Sequence, residues 1–136
     1  NDNKISKNEE VDTKNLNIAV VNWSAYFLWL SDNFKNANIL RAKTIIESHK
    51  LFNEGKVDVL AGLKPKLLEE LESNKNLKII DKPFTFIKQS IGIKKGSLEV
   101  TKFLNNFILK IISEGIIERL LKKHKLENKL SIPKNY

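Results

Sequence analysis

Apolar residues begin to concentrate at residue 16. The run LNIAVV over residues 16–21 is nearly continuous and rich in β-branched side chains, which predicts a strand covered on both faces. Asn22 follows, and Trp23, Tyr26, Phe27, Leu30 and Phe34 then recur three or four positions apart. That is the spacing of an amphipathic helix, with Asn22 or Ser24 available as its cap. A second short strand is predicted at residues 38–42, and a helix at 44–53 whose apolar face would use Ile45, Ile46, His49 and Phe52. Gly55 ends that helix as the residue best suited to a left-handed cap. Residues 57–63 (VDVLAGL) read as a third strand, and Pro65 stands where the next helix would begin, with Leu67, Leu68 and Leu71 as its stripe. Residues 77–80 read as a fourth strand, and beyond Pro83 the chain alternates locally as Phe84/Phe86 and Ile91/Ile93.

Strand and helix thus alternate four times, which predicts an α/β domain with a mainly parallel sheet and right-handed crossovers. After Gly96 the pattern is helical only. Leu104, Phe107, Ile108, Ile111 and Ile112 form one wide apolar face. Gly115 divides it from a shorter amphipathic helix built on Ile116, Ile117, Leu120, Leu121 and His124, and a polar tail follows. So wide a face asks for more cover than a four-stranded unit provides. Residues 1–14 carry mixed charge and little apolar content and read as a tail or connector.

Composition narrows the class. A chain of 136 residues with 41% hydrophobic and 29% charged residues suits one globular domain rather than a disordered or fibrous one. No apolar run approaches the roughly 18 residues of a membrane span, and residues 1–10 hold no signal-peptide block, so an export signal would lie outside this sequence. The absence of cysteine removes disulfides, thiol nucleophiles and thiolate metal sites. His49 and His124 are too far apart in sequence to suggest a metal cluster, and no cofactor is implied. The net charge of +8 is carried mostly by lysine, since Arg41 and Arg119 are the arginines. Lysine is a hydrated point charge without the fork that reads bases, so the excess points to general surface charge rather than to nucleic acid as a partner.

No catalytic constellation stands out, and the chain reads as non-enzymatic. His49 and His124 fall inside predicted helices, where a half-buried structural role is the plainer reading, and Glu69 and Glu70 lie in a charged helix as solvated groups. There is no P-loop and no glycine fingerprint after a strand. In an open parallel sheet, ligands bind beyond the carboxyl ends of the strands where strand order reverses, and that rule selects two loops. The first holds Asn22, Trp23, Ser24, Ala25 and Tyr26, where a buried strand feeds a helix N-terminus suited to an anion or carboxylate. Ser24 and Ala25 are small enough for close approach, and Trp23 and Tyr26 could wall the site or belong to the core. The second is residues 61–64, with Gly62, Leu63 and Lys64. Lys64 could meet an acidic ligand, although a lysine just before a helix usually faces solvent.

In order and spacing, the segments IAVVNWSAY, ILRAKTIIESHKLFNEGKVDVLAGLKPKL and QSIGIKKGSLEVTKFLNNFILKIISEGIIERLLKKH carry a likeness. The chain resembles the second half of the family 3 extracellular solute-binding proteins, the amino-acid-type receptors of ABC importers. Gly55-Lys56-Val57-Asp58 is similar to that family's glycine-basic-x-aspartate strand start. Gly92 through Gly96, Leu98, Leu104-Asn105 and Gly115 are similar to its closing segments.

The resemblance implies one lobe, of periplasmic-binding-protein type 2, from a two-lobed clamshell. Residues 1–14 would be tail and incoming hinge, 15–83 the α/β ligand-binding lobe, 84–95 the returning hinge strand, and 96–136 helices and tail that pack on a first lobe outside this chain. It implies a small polar solute, an amino acid or organic acid, and the membrane subunits of an ABC transporter as partners. It also implies a periplasmic or extracytoplasmic location, and an exposed helical patch able to pair two copies of this chain as a homodimer. Departures from the family pattern fall in the site. Ser24 alone matches its first ligand loop in type, and Leu63 stands where the family has the acid that grips an ammonium group. Asp58 reads as the structural acid of the strand start. A carboxylate-bearing solute therefore suits Asn22, Ser24 and Lys64 better than a free amino acid. The sensing domain of a membrane signalling receptor, and the effector lobe of a transcription regulator, share the fold and are the alternatives.

Overall fold

The computed structural model describes residues 7–80 and 82–132. The remaining ends, part of the expected tail regions at 1–14 and 96–136, lie outside the described residues. The chain divides into two units, Asn1–Ile87 and Lys88–Tyr136. Most of the excess of lysine and arginine over aspartate and glutamate falls in the second, which leaves the first close to neutral.

The first unit is α/β. Strand β1 (Asn17–Val21) is central in a parallel sheet of order β2-β1-β3, flanked by β2 (Asn38–Ala42) and β3 (Val59–Leu60). Its middle residues Ile18, Ala19 and Val20 are buried, as the continuous apolar run predicts for a strand covered on both faces. Side chains alternate across the sheet. Ile18 pairs with Ile39 and Val59, and Val20 with Arg41, so these residues share one face. That face takes helix α1 (Ala25–Asn33), whose Tyr26, Phe27 and Leu30 join Ile18, Val20 and Ala61 in the core. The opposite face carries Ala19 and Ala42, both at 0% exposure, and there α2 (Ile45–Asn53) packs through Ser48, at 1%. Small residues on both sides of that seam let the helix lie close to the sheet.

Local chemistry sets the helix ends. Ser24 caps α1 by accepting from the Phe27 N–H at 3.1 Å, and Thr44 caps α2 by accepting from the Glu47 N–H at 3.1 Å. Gly55 takes φ +69° after α2, the left-handed conformation expected there. Helix α3 (Lys64–Ser73) opens on Leu63 with Pro65 in its first turn. The Asp58 carboxylate accepts from the Asn17 N–H at 2.8 Å, which ties the start of β3 to the start of β1.

Five expectations are corrected. Residues 77–80 and 84–95 form no strand. Pro83 lacks a donor for a ladder, and the side chains of Ile80, Phe84 and Ile87 instead pack against the core cluster, with Phe84 5.2 Å from the Trp29 ring centroid. Pairing in β3 is limited to two residues of the seven expected, although the bonds from Asp58 N to Asn17 O and from Ala61 N to Ala19 O continue its line. Helix α2 does not use Ile46, which is 82% exposed; its inward side is Ser48, His49 and Phe52. Finally, residues 7–14 are docked rather than trailing. Val11 is buried, and the Asp12 carboxylate accepts from the backbone N–H groups of Lys35, Asn36 and Ala37 at 2.8–3.1 Å.

In the second unit, α4 (Leu98–Ser113) and α5 (Ile116–Lys123) pack on each other across Gly115, which has φ +66°. The break at Gly115 is the one the sequence predicts. Neither helix holds a buried residue, and Phe103 and Phe107 stack with centroids 6.4 Å apart while both remain exposed.

Candidate functional site

In a parallel sheet of order β2-β1-β3 the strand order reverses between β1 and β3, and the crevice of such a sheet opens at the carboxyl ends of those two strands. The loops that leave these ends are residues 22–24 and 61–63, the two selected from sequence.

The first loop is a tight turn. The Ser24 N–H donates to the Val21 carbonyl at 3.3 Å, and Trp23 takes φ +59°. Asn22 donates its backbone N–H to the Ala42 carbonyl at 2.8 Å, while its side-chain oxygen is buried without a hydrogen-bond partner. Ser24 is fully engaged. Its hydroxyl donates to the Val21 carbonyl at 2.7 Å and accepts from Phe27, so its role here is to hold the turn. Ala25 opens α1 and is exposed. Of the two aromatics, Tyr26 belongs to the core at 8% exposure, whereas Trp23 stands out at 76%.

A small pocket lies at the second loop, with a volume of ≈ 10 Å³, about the least that holds one water. Of the residues selected from sequence, Tyr26, Gly62 and Leu63 line it, together with Ala61 and Ile45. Gly62 faces α3 closely; an added Cβ would meet Leu67 Cδ2 at 3.4 Å. Lys64 is exposed and does not line the pocket; nor do Asn22, Trp23, Ser24 and Ala25.

Three polar lining residues escaped the sequence reading: Ser48, His49 and Lys66. His49 Nδ1 is hydrogen-bonded to Glu70 Oε1, and Glu70 Oε2 accepts from Asn53 Nδ2 at 3.2 Å. Glu70 is therefore not the solvated group expected. The His49 hydrogen bond, opposed by partial burial and aided by Asn53 and by the charge on His49, holds its carboxyl below the usual range. Lys66 Nζ sits 2.7 Å from Glu69 Oε2, and the Ser48 hydroxyl donates to the Ile45 carbonyl at 2.8 Å. Neither Ser24 nor Ser48 thus offers its proton to a base. Only helix-to-helix contact brings His49 and Glu70 together, 21 positions apart in sequence, and no motif announces it. The arrangement is a hollow about one water in size with apolar walls and a few polar groups beside it.

Among the described residues, no three His, Asp or Glu side chains converge as a metal set, and no helix is long and apolar enough to cross a membrane. Comparison with protein-family models, curated proteins and solved structures returned no match.

Proposed function

We propose that this chain is one lobe of a periplasmic-binding-protein type 2 solute receptor serving an ABC importer. It binds a small polar solute between itself and a first lobe encoded outside this sequence, and closes on it by hinge motion. The observation that carries the reading is the coincidence of the switch point of the β2-β1-β3 sheet with the two loops that the family resemblance marks as ligand loops. The fixed rim groups of the pocket beside residues 61–63 support it.

On this reading the protein works outside the cytoplasm without chemistry of its own, and solute contacts made only when both lobes meet drive the closure. Leu63, 42% exposed at the N-terminus of α3, supplies no acid for an ammonium group, so the solute is an organic acid rather than a free amino acid. Calorimetric titration of the natural two-lobed protein against organic acids and amino acids tests both parts. Tight binding of an organic acid supports them. Tight binding of a free amino acid removes the organic-acid part, and silence toward both classes removes the receptor reading.

A further inference from the structure

Beside the pocket, the first loop and β2 build a feature that the sequence reading did not assemble. Trp23 is 76% exposed and its backbone is left-handed at φ +59°. For a residue with a side chain, that conformation costs about 1–2 kcal/mol. The indole's ring contact is with Phe27, edge-on at 6.3 Å and 81°, and such a pair returns only about 0.5–1.5 kcal/mol. The ring pair offsets that cost in whole or in part while the indole is held outward, and strained residues of this kind gather at ligand sites.

Arg41 completes the feature. Its register opposite Val20 puts it on the α1 face at the end of β2, and its guanidinium carbon lies 5.9 Å from the Phe27 ring centroid. Stacking on an aromatic ring orients a guanidinium and leaves its forked edge free. Among the described residues the Arg41 side chain makes no ion pair and no hydrogen bond. In a unit that is otherwise close to neutral, this oriented cation stands beside Phe27 with an exposed indole also against that ring.

We propose that Trp23 and Arg41 form a platform for an aryl carboxylate, with the aromatic ring stacked on the indole and the carboxylate on the guanidinium fork. This rests on the receptor reading for which end of the sheet meets solute, and it names the solute class. A planar carboxylate matches one arginine with two parallel hydrogen bonds.

The test is a heteronuclear NMR titration of the 136-residue chain with benzoate, cyclohexanecarboxylate and benzamide. Benzoate is expected to move the Trp23 indole N–H and the Arg41 Nε–H resonances. Cyclohexanecarboxylate, without a π face, and benzamide, without charge, each bind about fivefold or more weakly. Arg41→Gln weakens benzoate about tenfold, and Trp23→Gly, which accepts the left-handed backbone, removes the preference for benzoate over cyclohexanecarboxylate. The comparison of the three compounds on the unaltered chain stands even if a variant does not fold. Benzoate shifts confined to Gly62, Leu63 and His49 would overturn the platform and leave the receptor reading in place, as would equal binding of benzoate and cyclohexanecarboxylate. Absence of shifts at both loops overturns the platform and leaves the receptor reading to the titration of the two-lobed protein.

Discussion

Asp12 offers a sharp test of how the α/β unit is held. Its Oδ1 accepts from the backbone N–H groups of Lys35, Asn36 and Ala37 at 3.1, 2.8 and 3.0 Å, and its Oδ2 from the Asn36 side-chain amide at 3.3 Å. One carboxylate thereby stitches the segment before β1 to the turn that leads into β2. A hydrogen bond to a charged group is worth about 1.5–3 kcal/mol where water is excluded. This turn is partly solvated, so amides freed by truncation recover water, and the loss on Asp12→Ala comes to about 2 kcal/mol. Asp12→Asn keeps an oxygen for the three amides but loses the charge and turns an NH₂ toward Asn36, for about half that loss. Partial burial raises the Asp12 pKa, but the amides of Ala37, Lys35 and Asn36 and the Asn36 side chain outweigh it, and the net shift is downward from 3.8. A carboxyl with a depressed folded-state pKa contributes its full stability above the unfolded value. It loses that contribution as pH falls from about 5 through the folded-state pKa. Urea unfolding followed by tryptophan fluorescence at neutral and acid pH is the assay. The wild type and Asp12→Ala should differ clearly in midpoint at pH 7, and the gap should narrow in acid by about half, since the neutral carboxyl still offers an oxygen to the amides, with unchanged slope. Identical midpoints at pH 7, or a gap as wide in acid as at pH 7, would refute it.

Three further outcomes follow from the same geometry. A double-mutant cycle on His49→Ala and Glu70→Gln is expected to give a coupling of about 1 kcal/mol at pH 7. Because the Glu70 pKa is lowered, that coupling fades as pH falls through its folded value, and a pH-independent coupling would sink the account. Leu63→Asp places a capping carboxylate at the N-terminus of α3, where no side chain now caps, and is expected to raise the melting midpoint by a gain of about 0.5–1 kcal/mol; a lowered midpoint would show that the leucine's pocket contacts outweigh the cap. Light scattering at rising concentration is expected to show a dimer that Phe103→Glu with Phe107→Glu returns to monomer, since both rings are exposed on α4; a constant monomer mass would count against pairing of copies.

What sequence revealed, and what it hid, divides along the range of the forces involved. The strand at residues 17–21, the Ser24 cap, the helix after Thr44, the left-handed Gly55, the proline-led α3 and the break at Gly115 all rest on neighbours a few positions away, and each was legible. The run at 77–80 has the composition of a strand, but a strand needs an edge to pair with, and composition does not say whether one is open. Trp23 has the spacing of the α1 stripe, yet the turn that Ser24 holds places it before the helix and outside the core. The switch-point rule picked out the loops that leave the carboxyl ends of β1 and β3. It did not find His49, Glu70 or Lys66, whose meeting depends on how α2 and α3 lie together, and it passed over Arg41, whose trace in the sequence was a single cation inside an apolar strand.

The close seam between the sheet and α2 has an evolutionary side. A β-carbon is nearly all that Ala19 and Ala42 present there, and Ser48 fills what remains. Swapping any of them for a bulkier residue would force strain of about 1–3 kcal/mol, a large share of a small domain's margin. Mutational drift at these three sites is therefore throttled while the lysine-rich exterior changes freely. Distant kin that whole-chain comparison overlooks would then be recognised by two tiny residues on adjoining strands and a third on the helix that follows the second of them.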